Sequence, residues 1–279
     1  MATSSTSVST YDPFSVFDSP EIRSFVFHPR RALGRGRGGE WLFFEVSEGV
    51  RIGCKFWGEG GRRPLILYFH GNGEIVTDYD DIAPEYLRRG MDLLVTDYRG
   101  YGLSDGEPTV RSILEDALVL FERIKQWLDS QGWAPPLFVM GRSLGSLPAV
   151  ELSRAHQGEL QGLILESASA TNFRGLLSQL GLIPWDHPVW EEGRGFFNRE
   201  KIRQVRLPLL IIHAERDSLI PLEEAHILYR EAASEKKRLV VIPQADHNDL
   251  IFRDRELYFG SIEKFVKEVA GGSLPDKTR

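Results

Sequence analysis

A single cysteine, Cys54, stands in a chain of 279 residues, which excludes an intrachain disulfide framework and a cysteine-based zinc site. Lys and Arg together number 34 against 40 Asp and Glu, a formal net charge of −6, so the concentrated positive charge that phosphate-backbone binding needs is missing and no nucleic-acid partner is expected. No apolar run approaches the roughly 18 residues that a membrane span requires. The opening stretch, Met1-Ala-Thr-Ser-Ser-Thr-Ser-Val-Ser-Thr10, has neither the basic start nor the apolar core of a signal peptide, and position 2 is not the glycine of a myristoylation signal. Walker loops, His-Glu-x-x-His and dinucleotide fingerprints are also absent, so neither a cofactor nor a metal is expected. With 27 % charged and 42 % hydrophobic residues, the composition is that of a globular, cytoplasmic protein large enough for a substantial core.

Residues 1–20 are Ser/Thr-rich and aperiodic and read as a disordered tail, as do residues 272–279 at the other end. The folded domain is expected over 21–271. Arg30-Arg-Ala-Leu-Gly-Arg-Gly-Arg-Gly-Gly39 has the look of an Arg/Gly nucleic-acid segment, but the acidity of the chain favours a flexible connector. From Val50 to Trp57, apolar Val50, Ile52, Cys54 and Phe56 alternate with Arg51, Gly53, Lys55 and Trp57, which predicts a strand with one buried face and Cys54 as core filling. After that the alternation stops. Leu65–Phe69, Leu93–Val95, Leu137–Met140, Leu163–Leu165, Leu207–Ile212 and Leu239–Ile242 are short continuous apolar runs, the pattern of strands covered on both faces. Helical periodicity over Val110–Leu128, Leu222–Ala233 and Leu250–Val269 separates them. The alternation predicts an α/β fold with a doubly wound, mostly parallel sheet of about eight strands. Residues 168–205 interrupt it with Phe173, Trp185, Trp190, Phe196 and Phe197 and no strand pattern, a small insertion over one end of the sheet.

Sites in such a sheet gather at the carboxyl ends of the strands. Gly141-Arg-Ser143-Leu-Gly145 follows one strand and opens a helical stretch, the context in which a serine on a sharp turn is lifted clear of the sheet. The same spacing recurs at Gly102-Leu-Ser104-Asp-Gly106, but inside turn-forming sequence, so Ser143 is the candidate nucleophile. His247, in the polar loop after Ile242, is the candidate base; Asp217, after the strand ending at Ile212, is the candidate orienting acid, with Glu166 an alternative. Two N–H groups must receive the oxyanion of an acyl-transfer intermediate, and Leu144 and Asn72 of His70-Gly-Asn-Gly73 stand where they could do so. The insertion aromatics Phe173, Trp185 and Trp190 either line an acyl pocket or anchor the insertion to the body.

Taken with Asp97-Tyr-Arg-Gly-Tyr-Gly-Leu-Ser-Asp-Gly-Glu-Pro108 and Asp246-His-Asn-Asp249, these motifs resemble those of α/β-hydrolase serine hydrolases over about residues 40–270. The similarity is greatest to the small-lid branch of esterases and depalmitoylating thioesterases, from which the chain departs in having no cysteine before Cys54. The resemblance implies an α/β-hydrolase fold and hydrolysis of an ester or thioester of a small-molecule or acylated substrate through an acyl-enzyme. A peptidase using the same three residues and a non-catalytic receptor on the same scaffold are the competing expectations.

Overall fold

A computed structural model describes residues 12, 14–172, 174–193 and 197–271. One sheet of eight strands organises it: β1 (Glu40–Ser47), β2 (Val50–Trp57), β3 (Leu65–Phe69), β4 (Asp92–Thr96), β5 (Leu137–Arg142), β6 (Gly162–Glu166), β7 (Leu209–Ala214) and β8 (Lys237–Ile242), in the spatial order β1-β2-β4-β3-β5-β6-β7-β8. The β1–β2 and β2–β4 pairs are antiparallel, and the remaining neighbours are parallel. Helices, in chain order, are α1 (Phe14–Phe17), α2 (Pro20–Val26), α3 (Ala83–Arg88), α4 (Val110–Ser130), α5 (Ser146–Ala155), α6 (Arg174–Gln179), α7 (Asn198–Ile202), α8 (Leu222–Glu231), α9 (Leu250–Arg253) and α10 (Arg255–Val269).

The continuous apolar runs are explained by helices on both faces. Leu65, Leu67 and Phe69 of β3 pack with α4 and α5 residues such as Ile113 and Leu147, whereas Ile66 and Tyr68 pack with α3 and α10 residues such as Tyr86 and Phe259. Successive side chains of β5, β6 and β7 divide between the same two layers. The parallel register then brings Phe69, Gly141, Arg142, Glu166, Ala214 and Ile242 to one edge of the sheet.

Four expectations need revision. Beyond Arg51, strand β2 is buried on both faces, because the Arg30–Gly39 stretch lies across the side expected to meet water: Lys55 is fully buried, its Nζ donating to the carbonyls of Arg35 (3.0 Å) and Arg37 (3.1 Å) and to Asp80 Oδ1 (2.6 Å). That stretch is accordingly a pinned covering loop rather than a free connector. Helix α1 already begins inside the segment read as a tail, with Phe17 buried edge-on against Trp190. The long helix expected over Leu250–Val269 is broken at Asp254, which instead caps α10 by accepting the N–H of Leu257 (2.9 Å). Cys54 is buried, and burial pushes its thiol pKa up, in keeping with a packing role. Among the described residues no helix is long and apolar enough to cross a membrane.

Candidate active site

Ser143 follows β5 directly and holds φ at 50°, a left-handed conformation that non-glycine residues adopt at a cost. The two flanking glycines are enforced by crowding. A Cβ on Gly141 would meet the Gly145 carbonyl oxygen at 2.3 Å, and one on Gly145 would meet the Phe69 carbonyl oxygen at 2.1 Å. The turn therefore closes only without those side chains, and it aims the serine away from the sheet and over the start of α5. Ser146 locks it from below, donating its hydroxyl to the Ser143 carbonyl at 2.7 Å.

Two loops meet this elbow from β7 and β8. His247 Nε2 lies 3.1 Å from Ser143 Oγ, and its Nδ1 lies 2.8 and 3.0 Å from the two carboxylate oxygens of Asp217. Burial works to raise the Asp217 pKa, but His247, the N–H of Ile220 and His213 outweigh it, and the net direction is down. Asp217 is therefore an acceptor-only carboxylate at neutral pH. In the neutral imidazole this puts the proton on Nδ1 and leaves the Nε2 lone pair facing the serine hydroxyl. Asp217 Oδ1 also accepts the N–H groups of Leu219 (3.0 Å) and Ile220 (2.7 Å). Asp246 ties the two loops together, accepting from Ser218 N at 2.7 Å, Ser218 Oγ at 3.0 Å and His247 N at 2.7 Å. Behind them His213, fully buried, donates Nε2–H to the Ile220 carbonyl at 2.8 Å; burial lowers its pKa and keeps the ring neutral.

Glu166, the alternative acid, is turned elsewhere. It accepts the hydroxyls of Tyr68 (3.0 Å) and Tyr258 (2.6 Å) and the Arg142 Nε–H (3.1 Å). Sequence reasoning passed over Arg142, whose slot in the G-x-S-x-G pattern admits any residue. Its guanidinium is nearly inaccessible, pairs with Glu74 and Glu166, and reaches the His247 carbonyl (2.9 Å) and Asn248 Oδ1 (2.9 Å). Burial would lower its pKa, but the two carboxylates raise it, so the charge is permanent. The second copy of the pattern is occupied differently: Ser104 is fully buried, and its Oγ accepts the N–H of Gly53 at 2.9 Å.

A cavity of about 310 Å³ opens beside Ser143, with Leu144, Leu176, Leu177, Leu219 and Ile220 forming much of its apolar wall and Asn72, Arg142, His247 and Asn248 its polar part. Leu144 and Asn72, the expected oxyanion donors, both reach it. The His70 loop carrying Asn72 is held by His70 Nε2 against Asp97 Oδ1 (3.2 Å), Tyr98 hydroxyl on the His70 carbonyl (2.6 Å) and Gly71 N–H on Glu74 Oε2 (2.8 Å). The insertion aromatics are a correction. Trp190 is buried, with Nε1 on the Pro184 carbonyl at 2.8 Å, and Trp185 is half-exposed with the Arg174 guanidinium 5.5 Å over its ring; neither lines the cavity. Trp190 buries its ring against Phe17 and Phe197 and anchors the insertion, Trp185 stays at the surface, and Leu176 and Leu177 of α6 take the place beside the serine. Phe173 lies outside the described residues. Among the described residues, Glu122, His156 and Glu159 form the one group spaced to hold a metal, but His156 stands at the far end of α5 from Ser143 and Lys125 already pairs with both carboxylates.

The profile of the family described as serine aminopeptidase, S33, matches residues 60–181 and 197–256. The lysophosphatidylserine lipase ABHD12 of Rattus norvegicus is 30 % identical over an aligned length of 236 positions, gaps included, that covers 77 % of this chain and 57 % of the rat protein. The chain thus spans little more than half of that relative. Among solved structures, the Pyrococcus furiosus esterase Pf2001 superimposes with a TM-score of 0.68 at 20 % identity, covering 86 % of this chain and 98 % of the esterase. A soluble variant of the Saccharomyces cerevisiae monoglyceride lipase, bound to a substrate analogue, gives 0.63 at 18 % identity, covering 86 % and 98 %.

Proposed function

The chain belongs to the serine aminopeptidase S33 family of α/β-hydrolases, and from that premise we propose that it is a serine esterase of the lipase type, acting on carboxylic esters with a largely apolar acyl group. The observation that carries the reading is the 3.1 Å contact of His247 Nε2 with Ser143 Oγ at the floor of an aliphatic cavity. Ser143 Oγ attacks the ester carbonyl while His247 takes its proton; Asp217 holds the imidazole and stabilises the imidazolium as it forms. The developing oxyanion is received by the N–H groups of Leu144 and Asn72, a contribution worth on the order of 10²–10³ in turnover per donor. The tetrahedral adduct expels the alcohol with the proton from His247, and water then repeats the sequence on the acyl-enzyme. The same attack takes a thioester, whose thiolate is the better leaving group.

The family description suggests an aminopeptidase as a second reading. The α-ammonium of such a substrate needs an anion, and among the described residues the cavity wall contains no carboxylate. From the rat relative's name we extend to this chain the acyl ester, not the headgroup: Arg142 is the only guanidinium or ammonium on the described wall, and it is engaged by Glu74 and Glu166.

Fluorophosphonate labelling with p-nitrophenyl ester, acyl-thioester and aminoacyl-anilide assays tests this. Label and ester turnover are expected in wild type and in Ser104→Ala, and a loss on the order of 10⁶ in turnover is expected in Ser143→Ala. Folded wild type that takes no label would remove the enzyme reading in favour of a receptor; anilide cleavage outpacing ester cleavage would install the peptidase.

A further inference from the structure

The cavity has a wall that lies outside the family match. Phe25 and Val26, at the end of α2, and His28 just beyond it, line the same cavity as Ser143 and as Leu176 and Leu177 of the insertion. The family profile begins only at residue 60. This part of the pocket is supplied by a segment that the family profile does not cover.

The wall is fixed rather than draped. Ile22 and Phe27 are buried in the core beneath it. Arg23 Nε donates to the Pro108 carbonyl at 3.2 Å, and Arg30 Nε donates to the Gly73 carbonyl at 3.1 Å. Between these ties sits the Asn72 carboxamide, which uses both its ends. Its Oδ1 accepts the His28 N–H (3.0 Å) and the Tyr101 hydroxyl (2.7 Å), while its Nδ2 donates to the Val26 carbonyl (2.8 Å) and meets His28 Nδ1 at 2.8 Å. Only a side chain with an acceptor and a two-proton donor on one carbon satisfies that set. One residue thus joins two parts of the pocket: the backbone N–H of Asn72 belongs to the oxyanion loop, and its side chain grips the segment that bears Phe25 and Val26.

Resting on the acyl-transfer reading above, we infer that Phe25 and Val26 set the acyl-chain preference of the Ser143 site and that Asn72 is the positioning residue holding them in place. An acyl chain lying along the aliphatic wall ends against these two side chains, so enlarging or trimming them moves the length at which the chain no longer fits. Apolar pockets discriminate one methylene by factors of about 10–200, so the effect is readable as a change in profile.

The test measures kcat/KM for p-nitrophenyl esters from acetate to dodecanoate in the full chain, for wild type and for Phe25→Ala, Val26→Trp and Asn72→Ala. Phe25→Ala is expected to raise the ratio of long-chain to short-chain kcat/KM by about tenfold, and Val26→Trp to lower it by a similar factor. Asn72→Ala keeps its backbone N–H but frees the wall. It is expected to flatten the profile as well as lower kcat, whereas a lesion confined to folding or to the oxyanion would scale all esters equally. Phe25→Leu and Val26→Phe serve where a larger change does not fold. Profiles parallel to wild type in active variants overturn this inference alone. Absence of any Ser143-dependent turnover in wild type overturns it together with the acyl-transfer reading.

Discussion

Two pentapeptides of this chain share the G-x-S-x-G spacing and have opposite fates. At Gly141–Gly145 the pattern follows a buried parallel strand, and both glycines are demanded by backbone atoms within 2.3 Å of where a Cβ would stand. At Gly102–Gly106 it follows a loop, and Gly102 makes room for a side chain, since Asp97 Oδ2 would lie 1.9 Å from a Cβ at that position. Ser143 points at a histidine; Ser104 gives its oxygen to the Gly53 N–H of an adjoining strand. The middle residues diverge as well. Arg142 carries buried charge to two carboxylates and to the His247 loop, whereas Leu103 is half-buried packing. A serine spacing acquires chemical meaning only from the strand before it and the loops that arrive beside it.

The sharpest way to break the comparison is to make the first copy like the second. Arg142→Leu leaves Glu74 and Glu166 buried without their cation, and removing one partner of such a set costs about 3–5 kcal/mol. Urea denaturation should register that loss, and ester turnover should fall even below the unfolding transition, because the His247 carbonyl and Asn248 lose their guanidinium anchor. Unchanged stability and turnover would show that the buried network supports nothing.

Ser104→Ala is expected to do the reverse. It strands the Gly53 N–H in a buried site at a cost of about 1–3 kcal/mol, while activity per folded molecule survives. Loss of fluorophosphonate labelling in this variant at full folding would mean that the wrong serine had been chosen.

The smallest effect separates the charges that serve each copy. Glu74, beside the first, is held below its ordinary value of 4.5, because Arg142, His70 and the Tyr79 hydroxyl outweigh its burial. Asp105, in the second, is held below 3.8 by Arg51 at the surface. Both pKa values are depressed on folding, so as pH falls below about 5 the unfolded chain binds more protons and stability declines; above about pH 5 the contribution is complete. In urea melts across that window, Glu74→Gln should lose stability at neutral pH and flatten the acid slope. Asp105→Asn, which removes a solvent-exposed pair, should change stability by less than about 1 kcal/mol. Equal effects from the two variants would erase the distinction between buried and exposed support.

Much of this molecule is local in origin and was therefore legible residue by residue. Continuous apolar runs such as Leu65–Phe69 announce strands covered on both sides, since no single solvent face could tolerate them, and the strand–helix context around Ser143 distinguishes it from Ser104. Chain order also placed Asp217 and His247 in loops after β7 and β8, at the edge where the structure brings them to Ser143. What the sequence could not convey is which distant residues share a wall. Alternation over Val50–Trp57 carries no sign that Arg35 and Arg37 will cover Lys55, and the choice of Asp217 over Glu166 rests on chain order alone until one is seen to face a histidine and the other tyrosines. Trp185 and Trp190 had the composition of a pocket lining, yet Leu176, Leu177, Phe25 and Val26 hold that place. Periodicity reports which side of its own element a residue occupies; only the closing of the chain on itself decides what lies on the other side.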